Sequence, residues 1–457
     1  MIDDQAAVVA PSGNHSSPPR RIRSALGWTV GGDTASKVAV LLLNLLAARQ
    51  LAPTEFGLYI GILATSLLGS AFWDAGVSTL VSVEVAKKSA PVMQALRRAL
   101  ALRLPTLPIW GVVLALGYWI LARSQPVDAA VLIAFSVASL MASIQIPVLA
   151  ALRGRLGFRD ATLASAAGRW TTTGLVAVAF LAANGHEALV ILALATAAGE
   201  AVTTGLGLLL LRPWVASSHA RDWDPHGITL RRALPYASNS VLNVAYNRLD
   251  VVIVAALTSA SQFAAYAPAS RIQDALYLLP GSLSAVAVPI LSRYAVGHNA
   301  ARNMSALVRK LWIVGVALAL PASLVLFVVM PQAISLLLGS AYADSATPTR
   351  ILMWSMLLAV LGAPLIGVLI ALDRGVDTTR AFAAAFCVSI ILHFSLDWWL
   401  GAVGAAIASM SRDVANVVVA AFYARRAFRK IGTDRPDVPP AHTSGRPRVP
   451  ERNPIET

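Results

Sequence analysis

The chain has 457 residues, of which 57% are hydrophobic and only 13% charged, and its formal net charge is +14. Soluble globular proteins average about 25% charged residues, so the composition excludes an ordinary soluble enzyme and leaves the membrane class. There the positive excess reads as orientation, because Lys and Arg gather in cytoplasmic loops, and not as a nucleic-acid surface; the single cysteine, Cys387, excludes an intrachain disulfide.

A helix needs about 20 mostly apolar residues to cross a bilayer. Residues 1–23 are polar and Pro/Ser-bearing, which predicts a disordered cytoplasmic N-terminus with no cleavable signal. Apolar runs then predict spans near 25–48, 57–83, 99–122, 127–151, 162–183 and 187–211, forming an N-lobe over 24–211. An inter-lobe loop at 212–230 precedes a C-lobe over 231–424, with spans near 233–257, 263–290, 308–330, 351–372, 379–396 and 401–424. The basic, Pro-rich tail at 425–457 reads as disordered. With both ends inside, and with Lys and Arg in the first turn or so of a span counted with the adjoining loop, 29 of the 37 Lys and Arg fall in cytoplasmic segments, three (Arg49, Arg123, Arg350) outside and five (Lys37, Arg169, Arg248, Arg271, Arg412) within spans. Dropping any span would destroy this asymmetry, so the expectation is an all-α integral membrane protein with twelve transmembrane helices.

Charged groups in spans are costly and tend to face a bundle interior or a wet cavity. In span one Asp33, Lys37 and Asn44 fall on one narrow stripe; Asp33 and Lys37 either neutralise each other as a structural lock or line a cavity. Asp74 lies in span two, Arg169 in "GRWTTTG" of span five and Glu200 in "AAGEAVTTG" of span six, the last two unpaired within their own helices. In span seven Asn239, Asn243, Tyr246 and Asp250 share a face, while Arg248 points almost the opposite way, toward the neighbouring lobe or outward to the interface. In span eight Arg271, Asp274 and Tyr277 share a face; Arg271 either grips a phosphate group with its guanidinium fork or is neutralised by Asp274. Arg412 and Asp413 complete the set. Trp398 and Trp399 sit where an outer aromatic belt is expected. The glycines of "GWTVG" (27–31) and "GLYIG" (57–61) fit close helix packing. "GGDTASKV" (31–38) lacks the pattern of a phosphate loop, and scattered histidines give no metal cluster, so neither cofactor nor metal is expected.

One phrase occurs twice. "LAPTEFGLY" (51–59) follows span one, and a looser copy, "LTSASQFAAY" (257–266), follows span seven. Six crossings separate the copies, which implies parallel repeats about an axis along the membrane normal.

"ARQLAPTEFGLY" resembles the hallmark of Wzx-type polysaccharide flippases of the MOP superfamily, with Ala52 where that family usually has Gly. "LRRALPYASNSVLNVAYNRLDVVIVAALTSASQFAAYAPASRI", "VVMPQAISLLLGSAYADSA" and "GAVGAAIAS" continue the likeness, so that it covers roughly residues 24–424. The resemblance implies two parallel-related six-helix lobes around a central cavity, a MOP/MATE-like carrier working by alternating access. It implies a polyprenyl-diphosphate-linked oligosaccharide as substrate, flipped across the cytoplasmic membrane for exopolysaccharide, O-antigen or capsule assembly, with membrane lipids, a polymerase and export machinery as partners. On that reading the carrier is not an enzyme. Lys37, Asn44, Arg169, Asn243, Arg248 and Arg271 would line the substrate cavity, and Asp33, Asp74, Glu200, Asp250 and Asp274 are the candidates for ion coupling. The rivals are a cation-coupled drug antiporter of the same superfamily, favoured by an acidic, aromatic cavity, and a membrane-embedded polysaccharide polymerase or ligase, which would need a sizeable outer loop.

Overall fold

A backbone in hydrocarbon must satisfy its own N–H and C=O groups, and a helix does so within one segment. The computed structural model describes residues 20–86, 91–124, 126–155, 157–182, 187–216, 228–295 and 300–433, and among these it contains helices and no strand. They are α1 (Arg20–Gln50), α2 (Pro53–Asp74), α3 (Val77–Ala86), α4 (Val92–Arg103), α5 (Leu107–Ser124), α6 (Ala129–Gly154), α7 (Phe158–Ala182) and α8 (Ala188–Ala216). They continue with α9 (Leu230–Leu257), α10 (Ala260–Leu276), α11 (Leu278–Ala295), α12 (Ala300–Leu337), α13 (Ala346–Ala371) and α14 (Gly375–Thr433). Of the segments predicted as disordered, 1–23 and 425–457, residues 20–23 and 425–433 are instead helical ends of α1 and α14, and α8 runs on to Ala216 into the predicted inter-lobe loop; residues 1–19, 217–227 and 434–457 lie outside the described residues.

Eight stretches are long and apolar enough to cross a membrane by themselves, and α14 among them carries two of the predicted crossings, bent at Gly401. The three remaining spans are α1, α7 and the α10–α11 pair, so the helices are consistent with twelve crossings. These three carry Lys37, Arg169, Arg271 and Asp274. Many neutral polar side chains are absorbed by the helix itself. Thr171, Thr196 and Thr204 each donate to the carbonyl one turn back. Large apolar side chains such as Leu181, Val178 and Trp399 face outward, as a lipid-facing surface requires.

The doubled phrase sits where the two halves meet. Pro53 opens α2 with its fixed φ, and Glu55 Oε2 accepts from the Ala52 N–H at 3.0 Å, closing the first turn. In the second copy Ser259 caps α10 by accepting from the Gln262 N–H. Gln262 then reaches out to accept the Ala402 N–H at 3.0 Å, holding the kink where Gly401 adopts φ 54°. Phe56, Tyr59, Phe263 and Tyr266 are all buried. A Cβ on Gly57 would meet Ala264 Cα and the Phe263 ring at 3.4 Å, so α2 and α10 pack copy against copy. The glycine spacing of 57–61 serves this contact.

Helices α1–α8 pack mainly among themselves, as do α9–α14, with α2 and α3 crossing to α9 and α10. Two further contacts pin the halves. At the face predicted to be outer, Arg49 donates to the carbonyls of Leu336 and Leu337 at the end of α12, the latter at 2.7 Å, and Tyr342 donates to the Leu51 carbonyl at 3.0 Å. At the opposite face Arg232 of α9 pairs with Glu84 of α3 at 3.1 Å. Beside that pair the α2–α3 turn presses onto α9. Gly76, at φ 72°, would bring a Cβ to 2.3 Å from the Ala237 nitrogen. A side chain there meets both backbone strain and a backbone clash. Gly76→Ala is therefore expected to cost about 2 kcal/mol, read as a lower melting midpoint of the purified protein.

Candidate functional site

Three polar helices converge on a cavity of about 290 Å³ between α1 and α10. α1 contributes Lys37 and Asn44, α9 contributes Arg248, and α10 contributes Arg271 and Asp274, with Tyr277 at its C-terminal cap. Sequence spacing places Lys37 with Asn44, and Arg271 with Asp274 and Tyr277, on the faces that the structure turns to the cavity, and among the described residues three cations there face one carboxylate. Arg248 Nη1 lies 2.7 Å and Arg271 Nη1 3.0 Å from the same oxygen, Asp274 Oδ2. Arg271 Nε and Nη2 are buried and have no hydrogen-bond partner among the described residues. A buried guanidinium with unspent donors is costly and is set up for charge-assisted, forked recognition of phosphate or carboxylate oxygens. The Arg271–Asp274 pairing expected from their spacing is made. Arg248 departs from both sequence expectations: it reaches neither the other half nor the interface but the adjacent helix of its own half, where the rotation of α9 aims it at Asp274.

The other predicted residues fall elsewhere. Arg169 of α7 does not line this cavity; it pairs with Glu200 of α8 at 2.8 Å, and Gln145 of α6 donates to the other Glu200 oxygen. Asn243 and Tyr246 turn toward α13 and α14, bordering a separate cleft that also touches Tyr277. Asp250 is buried, accepting from the Tyr266 hydroxyl at 2.8 Å and from Ser409 at 3.4 Å, with Arg412 3.8 Å away. Arg412 also pairs with Asp413 at 3.2 Å, donates to the Tyr246 carbonyl at 2.6 Å and lies over the Tyr246 ring. Asp74 is held by Ser78 and by Arg103 at 3.8 Å. The side chains of Asp33 and Asn239 lie outside the described residues.

Two groups escaped sequence reasoning. Arg103, counted with a cytoplasmic loop, is completely buried, stacked on Trp73 at 4.6 Å and donating to the Ser143 carbonyl. His393 and Asp397 form a fully buried pair at 2.9 Å. Their spacing of four was legible, but ending span eleven at 396 assigned Asp397 to the outer rim. Trp398 and Trp399 beside it are largely exposed, as an aromatic anchor requires. Among the described residues no group of three or more His, Cys, Asp and Glu side chains is placed to hold a metal.

Comparison with known proteins fits this architecture. No curated protein sequence matches the chain. Among solved structures, a multidrug-resistance MATE-family transporter of the MOP superfamily in its inward-facing conformation aligns with TM-score 0.63 and 16% identity, over 87% of this chain and 96% of the other. The lipid II flippase MurJ, inward closed, aligns with TM-score 0.64 and 13% identity, over 88% and 89%. A MOP-superfamily transporter from Pyrococcus furiosus, described as having a binding pocket of reversed polarity, aligns with TM-score 0.62 and 13% identity, over 91% and 97%. At such identities the likeness establishes the fold: two six-helix lobes around a central cavity. A family model described as polysaccharide biosynthesis protein matches residues 46–347. With two thirds of its length inside that match, the chain belongs to the polysaccharide biosynthesis protein family and is built on the MOP-superfamily transporter fold.

Proposed function

We propose that this multi-pass MOP-type transporter flips polyprenyl-diphosphate-linked oligosaccharides across the cytoplasmic membrane by alternating access, with both termini cytoplasmic. The observation that carries the reading is the pair of unspent donors on buried Arg271, in a cavity where Lys37 and Arg248 add positive charge. A diphosphate supplies the oxygens those donors lack. A drug antiporter for cationic compounds would place like charge against like. The polyprenyl chain finds an apolar wall in a second crevice, of about 720 Å³, between α2 and α5 on one side and α9 on the other. Asp33, Asp74, Glu200, Asp250 and Asp274 are the proposed carboxylates for ion coupling. Arg169, tied to Glu200, serves the substrate route only if that pair opens.

Deletion of the gene is expected to leave lipid-linked repeat units accumulating in the cytoplasmic leaflet and to stop surface polysaccharide assembly. Lipid extraction with mass spectrometry reads the first, and surface labelling the second. A deletion strain with normal lipid-linked pools and lost efflux of cationic dyes would instead establish the antiporter.

A further inference from the structure

Beside the cationic cavity lies a cleft of about 320 Å³, enclosed by α9, α11, α13 and α14 within one half of the molecule. Among the described residues its lining includes no Lys, Arg or His. Its polar groups are the amides of Asn243, Asn247 and Asn416 and the hydroxyl of Ser284, with the rings of Tyr246 and Phe382 as a wall. The two rings meet edge to face, with centroids 5.3 Å apart. The floor is small: Gly281, Ala359, Gly362 and Ala363.

Among the described residues the only charged group in the lining is Asp413, and its charge is spent. Oδ1 accepts from the Tyr246 hydroxyl at 3.1 Å and from Arg412 Nε at 3.2 Å, and Oδ2 accepts from the Tyr277 hydroxyl at 2.7 Å. A cationic ligand therefore finds no free carboxylate, and an anionic ligand finds no cation. Asn247 Nδ2 already donates to the Asn243 carbonyl at 2.7 Å, but an apolar chain would leave the amides of Asn243 and Asn416 dry, at a cost of a few kcal/mol for each unpaired polar group. What remains is a neutral ligand rich in hydroxyls. Amides exchange paired hydrogen bonds with vicinal hydroxyls because they offer donor and acceptor side by side, and the C–H face of a pyranose packs on aromatic rings. Asn416 Oδ1, buried and without a partner among the described residues, is one acceptor in waiting.

Position makes this cleft part of a larger site. Tyr277 lines both the cleft and the cationic cavity, and Asn247 and Arg248 are consecutive on α9, one facing each. In a lipid-diphosphate saccharide the first sugar follows the second phosphorus through a single bridging oxygen, so adjoining compartments, one cationic and one neutral, match adjoining parts of one molecule. We infer that the Asn243–Asn247–Asn416 cleft is the sugar subsite of this transporter, holding the first saccharide units while Arg271, Arg248 and Lys37 hold the diphosphate. The inference rests on the proposed function.

Titration of the purified full chain with polyprenyl diphosphate, bare or carrying one hexose or one N-acetylhexosamine, tests it. Wild-type protein is expected to bind at least one of the sugar-bearing lipids about tenfold more tightly than the bare lipid, the worth of one or two net hydrogen bonds. Asn243→Leu/Asn416→Leu is expected to bind all three lipids equally, at the wild-type affinity for the bare one. Ala359→Phe fills the cleft while leaving the amides in place, and is expected to give the same pattern, so that a misfolded amide variant does not decide the matter. Bare-lipid binding with no gain from either sugar, or a gain that survives both variants, overturns the sugar subsite alone. Wild-type protein that binds none of the three lipids overturns the subsite together with the function it rests on.

Discussion

Arg271→Ala is expected to abolish transport while leaving an inserted, folded protein. The arithmetic of the cavity explains both halves of that result. Removing Arg271 leaves Asp274 still paired with Arg248 at 2.7 Å, so no carboxylate is stranded. It also removes two buried donors that nothing in the described protein satisfies, so thermal stability should hold or rise slightly. The loss falls on the substrate. Truncating one partner of a buried charged contact costs about 2–5 kcal/mol, equivalent to at least about thirtyfold in affinity and up to several thousandfold. Reconstituted flipping of a lipid-linked saccharide should drop by at least about thirtyfold, with the melting midpoint unchanged or slightly raised. Arg271→Lys should recover only part, because an ammonium is a point charge without the fork. Undiminished flipping by the alanine variant would remove Arg271 from the site.

The second large effect is on stability. Arg412 is buried among Asp250, Asp413 and the Tyr246 carbonyl and ring. Arg412→Leu leaves two buried carboxylates facing one another's charge with their main counter-ion gone. Breaking a buried ion pair from one side costs about 3–5 kcal/mol, so the variant should accumulate poorly and melt far below the wild type. Adding Asp413→Asn removes one of the stranded charges and should restore part of the loss, a coupling that a double-mutant cycle measures. A variant as stable as the wild type would mean that water already solvates this cluster.

Much of the site was legible because a helix converts spacing into direction. Lys37 and Asn44 on one stripe, and Arg271, Asp274 and Tyr277 on one face, arrive together as their offsets require. Spacing is silent on how each helix is rotated against its neighbours. That is why the partner of Arg248, 26 residues away, could not be read, and why Asn243 faces a cleft within its own half and not the cationic cavity. Arg103 failed for another reason. A basic residue near the end of an apolar run is read as a loop charge, yet here Trp73, Asp74 and Ser143 supply a pocket for it deep in the bundle. The predicted span boundaries differ from the helix ends where helices run on past the apolar stretch through charged residues, as α12 does from Ala300 and α14 does to Thr433, and where two helices continue without a polar break, as at Gly401.

The two clasps at opposite membrane faces differ in chemistry. Arg49 ends on main-chain oxygens, which never change protonation, and it sits at the negative end of the α12 dipole. Arg232 ends on a carboxylate. High ionic strength can therefore slacken the Glu84 side more than the Arg49 side, which yields only when α12 turns its terminal carbonyls away. The molecule is thus chemically addressable from one face and mechanically sealed at the other.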